Sequence, residues 1–152
     1  MLVLGSMPGP ASLRAQQYYA HPQNQFWLIM GAACGFDATL PYARRCAALR
    51  AAGIALWDVL ASCRREGAAD AAIALAEALP NDLPGFLDAH PRVGRVLFNG
   101  ALAERVWRQR FGPQLAATRA PLQLLLLPST SAANAACSRE RRLQAWLAAL
   151  AA

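Results

Sequence analysis

The sequence predicts an α/β fold, a three-layer α/β/α sandwich around a short, four-stranded, mainly parallel sheet. Two observations predict it. Four apolar runs, Leu2–Leu4, Ile54–Val59, Val93–Phe98 and Leu122–Leu127, have the length of buried strands, and each is followed by turn or cap chemistry. Helical patterns lie between them, so successive strands must cross over, which makes the sheet parallel and covers both of its faces.

The elements follow in order. Leu2–Leu4 leaves the sheet at Gly5-Ser6-Met7-Pro8-Gly9-Pro10, a turn in which glycine lets a ligand approach the main chain closely. Asn24–Cys34 carries Phe26, Trp27, Ile29 and Met30 at helical spacing, and Pro41–Ala52 is a second helix opening on proline. After the Ile54–Val59 strand, Glu66 to Pro84 reads as loop, and Leu83–His90 as a short helix. Val93–Phe98 then feeds Ala101–Phe111, a helix with Leu102, Val106 and Trp107 on its apolar face. The last strand is followed by a helix from about Ala133 to Leu150, with Leu143, Trp146, Leu147 and Leu150 on one side. Ligands of such sheets bind beyond the carboxyl ends of the strands. Gly5–Gly9, Asp58-Val59-Leu60, Asn99-Gly100 and Pro128–Ser131 should therefore converge on one rim. The chain opens directly on its first strand, so either the domain is minimal or a short upstream piece precedes it.

The 152 residues suit one domain, 1–152, without repeats or a linker. The formal charge of +6 favours polyanionic partners. All 15 basic residues are Arg. With no Lys, a P-loop and a side-chain Schiff base are excluded, and G-x-G-x-x-G is missing as well. No run of eighteen apolar residues suggests a membrane span, and no basic-then-apolar leader suggests export, so a cytoplasmic protein is expected. Cys34, Cys46, Cys63 and Cys137 lack metal-ligand spacing and read as reduced thiols; no metal and no cofactor are expected.

Three segments carry chemistry. The Gly5–Pro10 turn is the first. The second, Tyr18-Tyr19-Ala20-His21-Pro22-Gln23-Asn24-Gln25-Phe26-Trp27, crowds four aromatics, a His and three amides into ten residues. Aromatic faces stack on bases, and amides read base edges or hold water. Phe26 and Trp27 read as core, leaving Tyr19 for stacking, and His21 is either an acid-base group or a structural turn residue. The third is Leu127-Pro128-Ser129-Thr130-Ser131-Ala132-Ala133-Asn134. Its hydroxyls either cap the last helix, through Thr130 or Ser131, or hold a phosphate with free backbone N–H groups. Arg139, Arg141 and Arg142 follow, lying either near a DNA backbone or on a solvated face; Arg64, Arg65, Arg105, Arg108 and Arg110 add to the basic character.

Together these segments resemble the uracil-DNA glycosylase superfamily, most closely its hypoxanthine-DNA glycosylase branch. The resemblance rests on G-S-M-P-G-P-A-S-L-R-A-Q-Q-Y-Y-A-H-P-Q-N-Q-F-W from Gly5 to Trp27 and L-P-S-T-S-A-A-N-A at 127–135. G-I-A-L-W-D-V-L at 53–60, A-L-P-N-D-L at 78–83 and F-N-G at 98–100 lie between them. It implies a monofunctional glycosylase that flips a deaminated base, hypoxanthine first, from double-stranded DNA and hydrolyses its N-glycosidic bond. It further implies stacking by Tyr19, a pocket lined by backbone of Ser6 and Met7, and a hydrogen bond from Asn99 to the base edge. Ser129, Thr130 and Ser131 would grip phosphates, with Ala132, Asn134 and Arg139 completing the DNA contact. Many members carry an acid or amide where Met7 stands and a His or Asn where Leu127 stands. Here Asn24 matches the asparagine that the branch uses instead, and it becomes the first choice for orienting water, with His21 behind it. A monomer is expected, and the cysteine spacing already speaks against a metal. Uracil or mixed specificity, a damaged-DNA-binding module without catalysis, and hydrolysis of a free nucleoside stay open; the lack of an acidic cluster argues against the last.

Overall fold

The computed structural model describes residues 1–64, 73–118 and 122–151. In chain order it contains β1 (Leu2–Gly5), α1 (Pro10–Ala15), α2 (Phe26–Cys34), α3 (Tyr42–Ala51), β2 (Ala55–Asp58), β3 (Leu60–Ser62) and β4 (Leu79–Pro80). These are followed by α4 (Leu83–Ala89), β5 (Arg95–Asn99), α5 (Ala101–Arg110), α6 (Gly112–Thr118), β6 (Gln123–Leu127) and α7 (Arg139–Ala151). The four expected strands form one sheet in the order β2-β1-β5-β6, and every pairing in it is parallel.

Strand periodicity of two sorts the side chains between the faces. Leu2, Leu4, Val96 and Phe98 point into a core closed by Leu83 and Leu87 of α4 and by Leu102, Val106 and Trp107 of α5. Val3, Leu97 and Leu127 point the other way, onto Phe26, Ile29 and Met30 of α2, Leu49 of α3 and Trp146 of α7. The result is the three-layer sandwich: the central strands β1 and β5 are buried between the helix layers, while the edge strand β6 stays partly open, with Leu126 49% exposed. Among the described residues, no helix is long and apolar enough to cross a membrane, and no three His, Cys, Asp or Glu side chains gather as a metal site. All four cysteines are free thiols.

Register builds the rim. Gly5 lies opposite Asp58, Leu4 opposite Phe98, and Asn99 opposite Leu127, so the four strands end nearly level.

The structure departs from the sequence reading in four places. A short helix, α1, follows the first turn, with Pro10 at its first position. The stretch read as loop contributes β4, which pairs antiparallel with β3, while residues 65–72, including Arg65, lie outside the described residues. Helix α6 extends the α5 region beyond Phe111. The last helix begins at Arg139 instead of about Ala133, and its cap is neither Thr130 nor Ser131. The Ser138 hydroxyl accepts the Arg141 N–H at 3.2 Å, three residues on, as an N-cap should.

Candidate active site

A cavity of about 150 Å³ opens at the carboxyl ends of the sheet. The turn after β1, Tyr18 and Tyr19, His21, Asn24, Asp58, Asn99 and Ser129–Ser131 line it, so all four strand ends contribute.

Gly5 sets how closely the walls approach. A Cβ there would meet the Asp58 Oδ1 at 2.3 Å and the Tyr19 hydroxyl at 3.0 Å, so glycine alone lets the carboxylate sit against the β1 backbone. Gly5→Ala is expected to displace that carboxylate and cost about 1–3 kcal/mol through overpacking. Thermal melting checks this, and an unchanged melting temperature contradicts it.

The Tyr18–Trp27 segment is folded tightly around its own hydrogen bonds. The buried Ser12 hydroxyl accepts the Ala20 N–H at 3.1 Å, tying the segment to α1. Tyr19 is held at φ +53°, a left-handed conformation unusual for an aromatic residue and costing about 1–3 kcal/mol, a form of strain that clusters at functional sites. One face of its ring stacks on Phe26, with centroids 4.1 Å apart and planes 27° from parallel. Phe26 is fully buried, so Tyr19 rests on a fixed platform while still lining the cavity.

Asn24 is fixed in the same way. Its N–H donates to the His21 carbonyl at 2.9 Å, and its Oδ1 accepts the Phe26 N–H at 3.0 Å, closing the turn that starts α2. One lone pair of the amide oxygen is thus anchored, leaving a second lone pair and two N–H donors on a side chain that lines the cavity. His21 is exposed at the mouth. Its Nδ1 accepts the Gln23 N–H at 3.2 Å, which places the proton of the neutral ring on Nε2.

Asn99 and Thr130 form a closed pair. The Asn99 Nδ2 donates to the Thr130 hydroxyl at 2.9 Å, and its Oδ1 accepts the Thr130 N–H at 2.8 Å. Thr130 is 0% exposed, and Asn99 takes both its hydroxyl and its N–H, although the residue is among those that line the cavity. Asn99 lines the cavity, and two of its amide's four hydrogen-bonding positions fix the 129–131 turn. The Ser129 hydroxyl accepts the Ser131 N–H, and the Ser131 hydroxyl accepts the Ala133 N–H, both at 3.3 Å. Asn134 donates its Nδ2 to the Ser129 carbonyl at 3.2 Å. Ala132 is exposed on this turn and Arg139 is exposed at the head of α7; neither lines the cavity.

Arg142 departs from the expectation for its group. Grouped by sequence with surface arginines, it is only 3% exposed and points inward. Its Nη1 donates to the Gln25 Oε1 at 2.6 Å, and its Nη2 donates to the carbonyls of Asn134 and Cys137 at 2.7 and 3.0 Å. The Gln25 N–H in turn donates to the Thr130 carbonyl at 3.0 Å, so one buried guanidinium ties the two loops of the site together.

Asp58 stands on the rim by its sequence position alone, with no role attached to it. In the structure it is 5% exposed, lines the cavity, and faces Gly5. Its charge is felt nearby: the Tyr18 hydroxyl is pushed well above the ordinary phenol range, chiefly by burial and further by Asp58 and then Tyr42, and stays protonated. The only sequence signal for Asp58 was its position at a strand end.

No family model matches the chain. It is 42% identical over 101 residues to a hypoxanthine DNA glycosylase of Methanosarcina barkeri, a match spanning 66% of this chain and 63% of that protein. It is 34% identical over 142 residues to a hypoxanthine DNA glycosylase of Methanosarcina acetivorans, spanning 93% of this chain and 84% of that protein. A solution NMR structure from Methanosarcina acetivorans, assigned provisionally as a uracil DNA glycosylase, superposes with a TM-score of 0.79 at 34% identity. That match covers 98% of this chain and 87% of the other.

Proposed function

The chain belongs to the hypoxanthine-DNA glycosylase branch of the uracil-DNA glycosylase superfamily, and from that premise we propose that it excises hypoxanthine from double-stranded DNA, leaving an intact abasic site. The observation that carries this reading is the gathering of Tyr19, Asn24, Asn99 and the Ser129–Ser131 turn around one cavity.

The everted purine lies on the face of Tyr19 opposite Phe26, while backbone of Ser6 and Met7 lines its edge. The turn at Ser129–Ser131 and the exposed residues after it, Ala132 among them, receive the DNA backbone and the gap in the stack. Bond breaking runs ahead of attack. The C1′–N9 electrons leave with the base, and hydrogen bonds to the purine ring stabilise them in a site of low effective dielectric. An oxocarbenium-like sugar remains, and a water held by the Asn24 amide adds its oxygen to C1′, its proton passing to the departed base or to solvent. Since the chain has no Lys, no side-chain amine forms an imine with the sugar, and the strand stays whole.

A duplex with a single deoxyinosine, incubated in protein excess and then treated with alkali, tests the proposal. The expected result is a break at the inosine that needs the alkali step; no break, or a break before alkali, contradicts it. A uracil duplex run alongside measures specificity, with hypoxanthine expected to be the faster substrate. Binding should be strongly ionic: with about four phosphates neutralised, affinity falls about a hundredfold between 50 and 200 mM salt. A flat salt response in a filter-binding or anisotropy titration contradicts that part.

A further inference from the structure

We propose that Tyr42 of α3 and Ser12 of α1 are positioning residues for excision, clamping the main chain on either side of Tyr19 so that its ring is set before the base arrives. The inference rests on the glycosylase reading above, in which Tyr19 is the stacking surface. A left-handed residue other than glycine persists only where its surroundings over-determine it, and Tyr19, at φ +53°, is fixed from both directions. On the N-terminal side, the Tyr18 N–H donates to the Tyr42 hydroxyl at 3.1 Å, and the Tyr18 carbonyl accepts the Trp27 indole N–H at 2.8 Å. The second bond holds the peptide group leading into Tyr19, and with it φ. On the C-terminal side, the Ala20 N–H donates to the Ser12 hydroxyl at 3.1 Å, which holds ψ.

The anchors are themselves braced. The Trp27 and Tyr42 rings meet edge to face, with centroids 5.7 Å apart and planes at 89°. The Arg45 guanidinium lies 4.5 Å from the Trp27 ring centroid and 5.6 Å from that of Tyr42, closing a cation–π group on the far side of the loop. Trp27 is buried, and neither it nor Tyr42 lines the cavity, so their influence on the base passes through the Tyr18–Tyr19 main chain. Without the Tyr42 acceptor, Tyr19 relaxes toward an ordinary negative φ and its ring leaves the Phe26 platform. The fraction of protein competent to receive the base then falls, and capture falls with it.

The test is a double-mutant cycle on single-turnover excision of deoxyinosine at saturating DNA, comparing the unaltered protein, Tyr42→Phe, Tyr19→Ala and the two changes together. Tyr42→Phe, which removes one oxygen, should lower the rate about fivefold, the size of one net hydrogen bond, and leave affinity for undamaged duplex unchanged. Tyr19→Ala should lower it by about 5- to 150-fold, as loss of an aromatic stacking partner does. In the Tyr19→Ala background, Tyr42→Phe should change the rate by less than about twofold, because the ring that it positions is gone. A merely structural role gives the same loss in both backgrounds. Equal losses, or no loss in Tyr42→Phe alone, overturn the proposal. Should Tyr42→Phe fail to fold, Ser12→Ala takes its place in the cycle and is read in the same way. An unaltered protein that forms no abasic site removes the glycosylase reading and this inference together; an active one with equal losses removes this inference alone.

Discussion

Asn24→Ala is expected to lower the single-turnover release of hypoxanthine by about two to three orders of magnitude, the usual loss when a positioned catalytic hydrogen-bonding group is removed. The protein should stay folded. Because Oδ1 is anchored on the Phe26 N–H at 3.0 Å, the amide plane is set before substrate arrives, and a water placed by it waits at a fixed position. The same bond starts α2, so truncation also removes a capping interaction, costing about 1 kcal/mol. Asn24→Asp separates the two effects, since a carboxylate accepts the same N–H. A melting temperature near that of the unaltered protein, with a rate far below it, assigns the loss to the amide's chemistry. Full activity in Asn24→Ala contradicts the assignment and moves it to His21, whose Nε2–H stands at the cavity mouth; His21→Ala then becomes the informative variant.

Arg142→Leu is expected to have the largest effect on stability, about 2–4 kcal/mol, and to loosen the DNA-facing turn. The guanidinium is 3% exposed, and its three hydrogen bonds hold Gln25 on one loop and the Asn134 and Cys137 carbonyls on the other. Leucine fills part of the space but leaves three acceptors without that donor, and the 134–138 segment loses the tie that fixes its path. For a domain of this size the cost corresponds to a drop of roughly 5–15 °C in melting temperature. Affinity for duplex DNA should fall more than the rate at saturating DNA, because the turn that meets the backbone is affected more than Tyr19 or Asn24. Arg142→Lys recovers only part of the loss, since an ammonium lacks the planar fork that spans separated acceptors. Arg139→Ala and Arg141→Ala, at exposed positions, should stay within about 0.5 kcal/mol of the unaltered protein. An Arg142→Leu variant that melts normally contradicts the clamp.

The sheet was legible because each of its strands is built on an apolar run, which burial of the central strands between two helix layers demands. Helix α1 was not: six residues rich in Pro, Ser and Ala show no period, and its buried Ser12 acts through a hydrogen bond instead of packing. The β3–β4 pair is short and joins residues far apart in sequence, so no local pattern announces it. The late start of α7 has a specific cause. Two of the carbonyls ahead of it bond the Arg142 side chain, and Ser138, not the earlier hydroxyls, supplies the cap.

The candidate site divides along the same line. Tyr19, His21 and Asn24 stood out because aromatic and amide side chains crowd one segment. Asp58 did not, because its meaning depends on lying opposite Gly5, a partner 53 residues away that only the register supplies. The Ser129–Ser131 run showed its hydroxyls but not which of them turns inward. Thr130 is withdrawn by the amide of Asn99, a pairing between two strand ends that sequence spacing does not reveal.

Base eversion into this cavity is seen most directly in a structure of the protein bound to a duplex carrying 2′-fluoro-deoxyinosine, whose glycosidic bond resists hydrolysis. The purine should lie outside the helix on the Tyr19 ring, with a water between the Asn24 amide and C1′. A purine still stacked in the duplex, or lodged anywhere but this cavity, contradicts it.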